Sequence, residues 1–166
     1  MRPGLRKLVL TAHVTFSVGW LGAVVAYLAL ALGSLKSDNA QSVRVAYLAM
    51  EVIGWYVIVP AGVTSLFIGL VQALGTEWGL FRHYWILTKF LLTLGAVAIL
   101  LVHMPNVSRM AALAMERTLS STDLRMERVE LAVHAGGGLV VLLVATGLSM
   151  FKPWGKTAYG QRKQRG

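Results

Sequence analysis

Leu8-Val-Leu-Thr-Ala-His-Val-Thr-Phe-Ser-Val-Gly-Trp-Leu-Gly-Ala-Val-Val-Ala-Tyr-Leu-Ala-Leu-Ala-Leu-Gly33 runs for 26 positions without an Asp, Glu, Lys or Arg. A helix needs about 20 apolar residues to cross the hydrocarbon core of a bilayer, and a helix or closed barrel is what satisfies the backbone there. The stretch is too long for the core of a signal peptide and no small-residue cleavage pattern follows it, so it reads as a retained helix. Three further runs repeat the pattern: Val52 to Gly75, Phe90 to Val102 and Leu131 to Phe151.

Composition agrees with that reading. Of 166 residues, 56% are hydrophobic and only 14% charged, with a mean hydropathy of +0.64. This is far from an ordinary soluble domain. The expected fold is therefore all-α, an integral membrane four-helix bundle. Its helices are predicted at about 5–35, 41–74, 80–104 and 122–151, making one domain over 1–151 with no room for a soluble catalytic module. Residues 152–166 form a basic tail. Pro105 is expected to stop the third helix and Lys152-Pro153 the fourth. The short turn Gly75-Thr-Glu-Trp-Gly79 makes the second and third helices antiparallel neighbours. In the long loop, Met110, Leu113, Ala114 and Leu119 among charges predict a short amphipathic helix on the membrane surface, and Ser120-Ser-Thr-Asp123 a cap for the fourth helix.

The absence of cysteine excludes disulfides, thiolate metal sites and c-type haem attachment. The net charge of +9 is placed at the segment ends. Arg2, Arg6 and Lys7 precede the first run, Arg82 lies between the second and third, and Lys152, Lys156, Arg162, Lys163 and Arg165 follow the fourth. Lys36, Arg44, Arg109, Arg117, Arg125 and Arg128 flank the other side, where Glu116, Asp123, Glu127 and Glu130 are interleaved. The positive-inside rule then gives N-in, C-in in a cell (inner or plasma) membrane, with the basic tail against anionic lipid. No stacking or groove-reading motif supports nucleic-acid binding.

Ionisable groups inside such segments are costly and mark functional sites. The candidates are His13, Lys89, His103 and His134. His13 lies ~8 Å inside the inner edge of the first helix, and Lys89 at a similar depth on the third. His103 and His134 sit near the outer end of the third and fourth. The 14 positions from Lys89 to His103 leave the two about 40° apart on one helix face and ~21 Å apart along it. His83 faces nearly the opposite way and reads as an interfacial histidine beside Arg82 and Trp85. Lys89 has two readings: it snorkels to the inner surface, or it binds an anionic group such as a porphyrin propionate, or iron itself. A histidine near a helix end can equally hydrogen-bond a carbonyl at head-group level. Glycines in the helices, notably Gly19, Gly22, Gly62, Gly69 and Gly136 to Gly138, serve either close helix packing or clearance for a flat cofactor.

The spacing His13…Trp20-Leu-Gly22, the Pro60…Gly69 helix, Trp85-x-x-x-Lys89…His103 and the closing Lys152-Pro153 resemble the HemJ-type protoporphyrinogen oxidases. They are also similar to the copper resistance protein D membrane domain. The resemblance covers nearly the whole chain in scattered positions. It implies a four-helix membrane architecture and association with haem b, with His13 and Lys89 as the matching functional positions and Trp20 beside them. Where that family carries Asn-Glu-Pro at the start of the fourth helix, this chain has His134-Ala-Gly-Gly-Gly138. Haem held by His13, His103 or His134 would make the protein an electron-transfer or porphyrin redox component, an oxidoreductase if an enzyme, working with a redox partner or as a homo-oligomer. Copper handling is the alternative: His103-Met104 with Met110, Met115 and Met126 offers imidazole and thioether ligands, unless those methionines are simply the apolar face of a surface helix. A cofactor-free assembly subunit is the third reading.

Overall fold

A computed structural model describes residues 2–75, 79–116 and 124–165. Within them the chain is helical: α1 (Pro3–Lys36), α2 (Ala40–Ile53), a π-helical turn (Gly54–Ile58), α3 (Val59–Gly75), α4 (Tyr84–Met115), α5 (Arg125–Phe151) and a short α6 (Ala158–Arg165). Four segments are long and apolar enough to cross a membrane: Pro3–Lys36, Ala40–Gly75, Tyr84–Met115 and Arg125–Phe151. They pack as a helical bundle in which α1 contacts α2, α3 and α5, and α4 contacts the same three.

On α1 the stripe Trp20, Val24, Tyr27, Ala31 recurs at three- and four-residue steps and is buried. It meets Tyr47 and Met50 of α2, Met104 and Val107 of α4, and Leu131 and Leu142 of α5 in one core. The opposite faces are apolar as well, with Leu8, Val18, Phe67, Val102 and Val140 among the large exposed hydrophobics. A helix that is apolar all round belongs in a core or in lipid.

The two ends of the bundle are fixed by different contacts. At the terminal end, Thr157 at the start of α6 binds the α3–α4 turn, its N–H donating to the Arg82 carbonyl (2.9 Å) and its Oγ1 to the Phe81 carbonyl (2.6 Å). An isolated bridge pairs His83 with Lys156. Lys152 adopts a left-handed conformation (φ 46°) that closes α5. At the far end, Asn39 caps α2 by accepting from the Gln41 and Ser42 amides (2.9 and 3.1 Å). Arg128 of α5 donates from Nε to the Tyr47 hydroxyl (3.1 Å) and from Nη2 to the Ser34 carbonyl. Ser34 Oγ donates to the Ala31 carbonyl (2.8 Å).

Several boundaries differ from the sequence reading. The third segment does not stop at Met104: α4 passes through Pro105 and ends at Met115. An interior proline costs roughly 3 kcal/mol. Beyond it Val107, Met110, Ala111 and Ala114 are all buried, and each large apolar side chain removed from water contributes about 1.5–3 kcal/mol. Burial outweighs the proline. For the same reason the expected surface helix in the long loop does not form over 106–116; Met110 and Ala114 belong to the core. Leu119 and the expected cap at 120–123 lie outside the described residues, as does most of the turn 75–79. The third segment begins at Tyr84 rather than at 80, after a turn. The second is broken at Gly54–Ile58, where the Val59 amide reaches back five residues to the Gly54 carbonyl. Pro60 accounts for this, because it has no N–H for the Tyr56 carbonyl and its ring would clash there.

Candidate functional site

The features above converge on one cavity. Its volume is about 340 Å³, and it lies among Trp20, Val24 and Tyr27 of α1, Gly54 and Ile58 of the π turn, Ala96 to Met104 of α4 and Val133 to Leu142 of α5. The π turn shapes one wall. A Cβ at Gly54 would sit 2.7 Å from Met104 Cε, so the end of the Met104 side chain packs directly on the bare backbone of the turn. Trp20 packs its indole against Gly62, whose Cβ would be 3.0 Å from the ring. The α5 wall is bare instead: Gly137 and Gly138 line the cavity, and a Cβ at either meets nothing within 4 Å.

His103 and His134 stand together at this cavity. Their rings stack with centroids 4.0 Å apart and planes 16° from parallel. His134 Nδ1 donates to the Glu130 carbonyl one turn back (2.9 Å), and His103 Nδ1 lies 3.9 Å from Glu130 Oε1. His103 Nε2, Trp20 Nε1 and the Tyr27 hydroxyl are buried without a hydrogen-bond partner. Buried polar groups are nearly always satisfied, and three orphans around one apolar cavity mark a place that takes a ligand or ordered water.

No protein-family model, curated protein or solved structure matches this chain. The site must be read from its own residues.

His13 and Lys89 do not line this cavity. His13 lies between α1 and α3, with Cε1 3.1 Å from where a Cβ on Gly69 would be, and its Nδ1 is buried without a partner. One turn further along α1, Ser17 Oγ and Ser65 Oγ are 2.7 Å apart. Lys89 donates from Nζ to Ser149 Oγ of α5 (3.1 Å) and sits 5.5 Å from the Trp85 ring centroid. Of the site residues predicted from sequence, Trp20, His103 and His134 are brought together, and His13 and Lys89 form a separate polar layer nearer the termini. The methionines read as copper ligands have diverse surroundings. Met104 packs on Gly54, Met110 is in the core, Met126 is exposed and Met115 Sδ accepts from Arg44 (3.3 Å).

The sequence reading missed Tyr27, Gly54 and Glu130. Tyr27 follows Trp20 by seven residues and so shares its face. Glu130 precedes His134 by four, the spacing at which helix side chains meet. Gly54 carried no signal until the π turn was seen.

Proposed function

We propose that this chain is a multi-pass protein of the cell membrane, with both termini cytoplasmic, that binds haem b and serves electron transfer or porphyrin redox chemistry. The observation that carries the reading is one apolar cavity lined both by His103, whose Nε2 has no hydrogen-bond partner, and by Gly137 and Gly138, which leave its α5 wall without side chains. The residues fit such a group. An imidazole nitrogen is a haem-iron ligand, the bare α5 wall admits a planar ring system, and Trp20 Nε1 and the Tyr27 hydroxyl can donate to a polar edge.

Bound haem supplies reversible one-electron chemistry, while the protein sets ligand, polarity and solvent access. In this chain, His103 offers a ligand nitrogen and Val24, Ile58, Leu100 and Leu142 exclude water. The basic residues at the terminal end support the orientation, and Lys152, Lys156 and Arg162 give the tail a charge suited to anionic head groups.

The test is an absorption spectrum of the detergent-purified protein. A Soret band is expected, lost in His103→Ala and kept in His83→Ala, with helical content unchanged by circular dichroism. A wild-type spectrum without that band overturns the reading.

A further inference from the structure

His103, Glu130 and His134 each offer one ligand atom, and those atoms all lie within 4.8 Å of one another. Two helices supply them: Glu130 and His134 are one turn apart on α5, and His103 comes from α4. We propose that these three residues form a binding site for a divalent first-row transition-metal ion at the end of the bundle away from the chain termini. This goes beyond the haem reading and does not depend on it: both readings use His103, so the ion would be held in protein that carries no haem.

The hydrogen bond of His134 settles which of its nitrogens is available. The Glu130 carbonyl can only accept, so Nδ1 carries the proton at 2.9 Å and Nε2 keeps its lone pair. Metal-binding imidazoles are oriented in this way, with the second ring nitrogen donating to a carbonyl or carboxylate. His103 is the buried member of the trio, 8% exposed, and its Nε2 has no partner. The Glu130 carboxylate brings negative charge to within 3.9 Å of the other ring nitrogen, His103 Nδ1, which is an ion-pair distance rather than a hydrogen bond. Nearby arginines are engaged in other contacts: Arg109 pairs with Glu127 at 3.7 Å, and Arg128 binds Tyr47 and Ser34.

Ligation requires the stacked rings to turn so that their nitrogens converge. His134 and Glu130 lie at exposed positions and can make that turn without disturbing the core. Two imidazoles and a carboxylate suit zinc or copper(II), with a fourth position left for water or substrate. Thioethers would favour copper(I); Met104 lines the same cavity but packs its Cε against Gly54, and Met115 Sδ accepts from Arg44.

The test is calorimetric titration of the haem-free, full-length protein in detergent with zinc chloride, and absorption of the cobalt(II) form. One ion per chain is expected, with d–d bands of a low-coordinate nitrogen and oxygen site. His134→Ala and Glu130→Gln should each weaken binding by more than the roughly 10- to 100-fold that loss of an outer partner costs, and His83→Ala should bind as wild type. Both test positions are exposed, so the variants keep their fold. Wild-type protein that takes up no stoichiometric zinc overturns the proposal, as do His134→Ala and Glu130→Gln variants that bind like wild type. The Soret measurement is made on the protein as purified, before any haem is removed, and fails or succeeds separately from this readout.

Discussion

The bundle holds two polar layers, and they differ in what surrounds them. Near the termini, His13 packs against Gly69, Ser17 meets Ser65, and Lys89 is bound by Ser149 beside Trp85. The side chains there are packed against neighbouring helices, although His13 Nδ1 has no hydrogen-bond partner. At the far end, His103 and His134 stack on each other beside about 340 Å³ of apolar space. Polar residues inside an apolar segment can thus fasten helices or furnish a site, and residue type alone does not say which. What differs is the open glycine wall beside the histidines at the far end, where a Cβ at Gly137 or Gly138 meets nothing within 4 Å, while the glycine beside His13 is covered.

The largest expected effect tests that distinction with one substitution at each kind of glycine. Gly138→Leu enters open space, so haem retention should be lost while thermal stability holds or rises, a leucine being up to about 1 kcal/mol better than glycine in a helix. Gly69→Leu must displace the His13 ring from 3.1 Å. Overpacking of that sort costs about 1–3 kcal/mol, seen as a lower unfolding midpoint with the Soret band retained. If both variants lose the band to the same degree, the two layers are not separate.

How much of this could be read beforehand follows from the range of each interaction. Four spans were legible because a run such as Leu8 to Gly33 encodes its environment locally. The continuation of α4 past Pro105 was not, since it depends on Val107, Met110 and Ala114 reaching a core built by other helices. The second segment was expected to be continuous over 41–74 despite Pro60, and the cavity wall that the break at Gly54–Ile58 helps to form needed Met104 in place against Gly54. His103 and His134 could be assigned to one level by counting residues. Their stacking, and the approach of Glu130 to them, depend on the rotation of two helices that are 31 residues apart at these histidines.

A second, smaller effect concerns the fastening of the far end. Arg128 ties α5 to the α1 and α2 ends through the Ser34 carbonyl and the Tyr47 hydroxyl, and both acceptor residues are buried. Hydrogen bonds to a charged group contribute about 1.5–3 kcal/mol, so Arg128→Met should lower stability by that order. The cavity is lined by other residues, and the substitution should leave ligand binding per folded molecule unchanged. A variant that is stable but has lost its ligand would move the functional boundary out to Arg128.

The smallest effect is expected at the opposite end. Thr157 does two things with one hydroxyl: Oγ1 donates to the Phe81 carbonyl at 2.6 Å and accepts from the Gly160 amide at 3.1 Å, capping α6. Its own N–H donates to the Arg82 carbonyl, a bond any residue except proline preserves. Thr157→Val keeps the shape and that backbone bond while removing both hydroxyl contacts, and loss of such a cap costs about 1 kcal/mol. The loss should stay local, because α6 rests on the α3–α4 turn and contributes no side chain to the hydrophobic cores. Hydrogen exchange over 157–161 should rise several-fold, with the unfolding midpoint of the bundle and the Soret band unmoved, and Thr157→Ser should restore protection. If exchange instead rises throughout α4, the tail is a brace for the bundle, and the layer near the termini owes its order to α6 as well as to its own packed glycines.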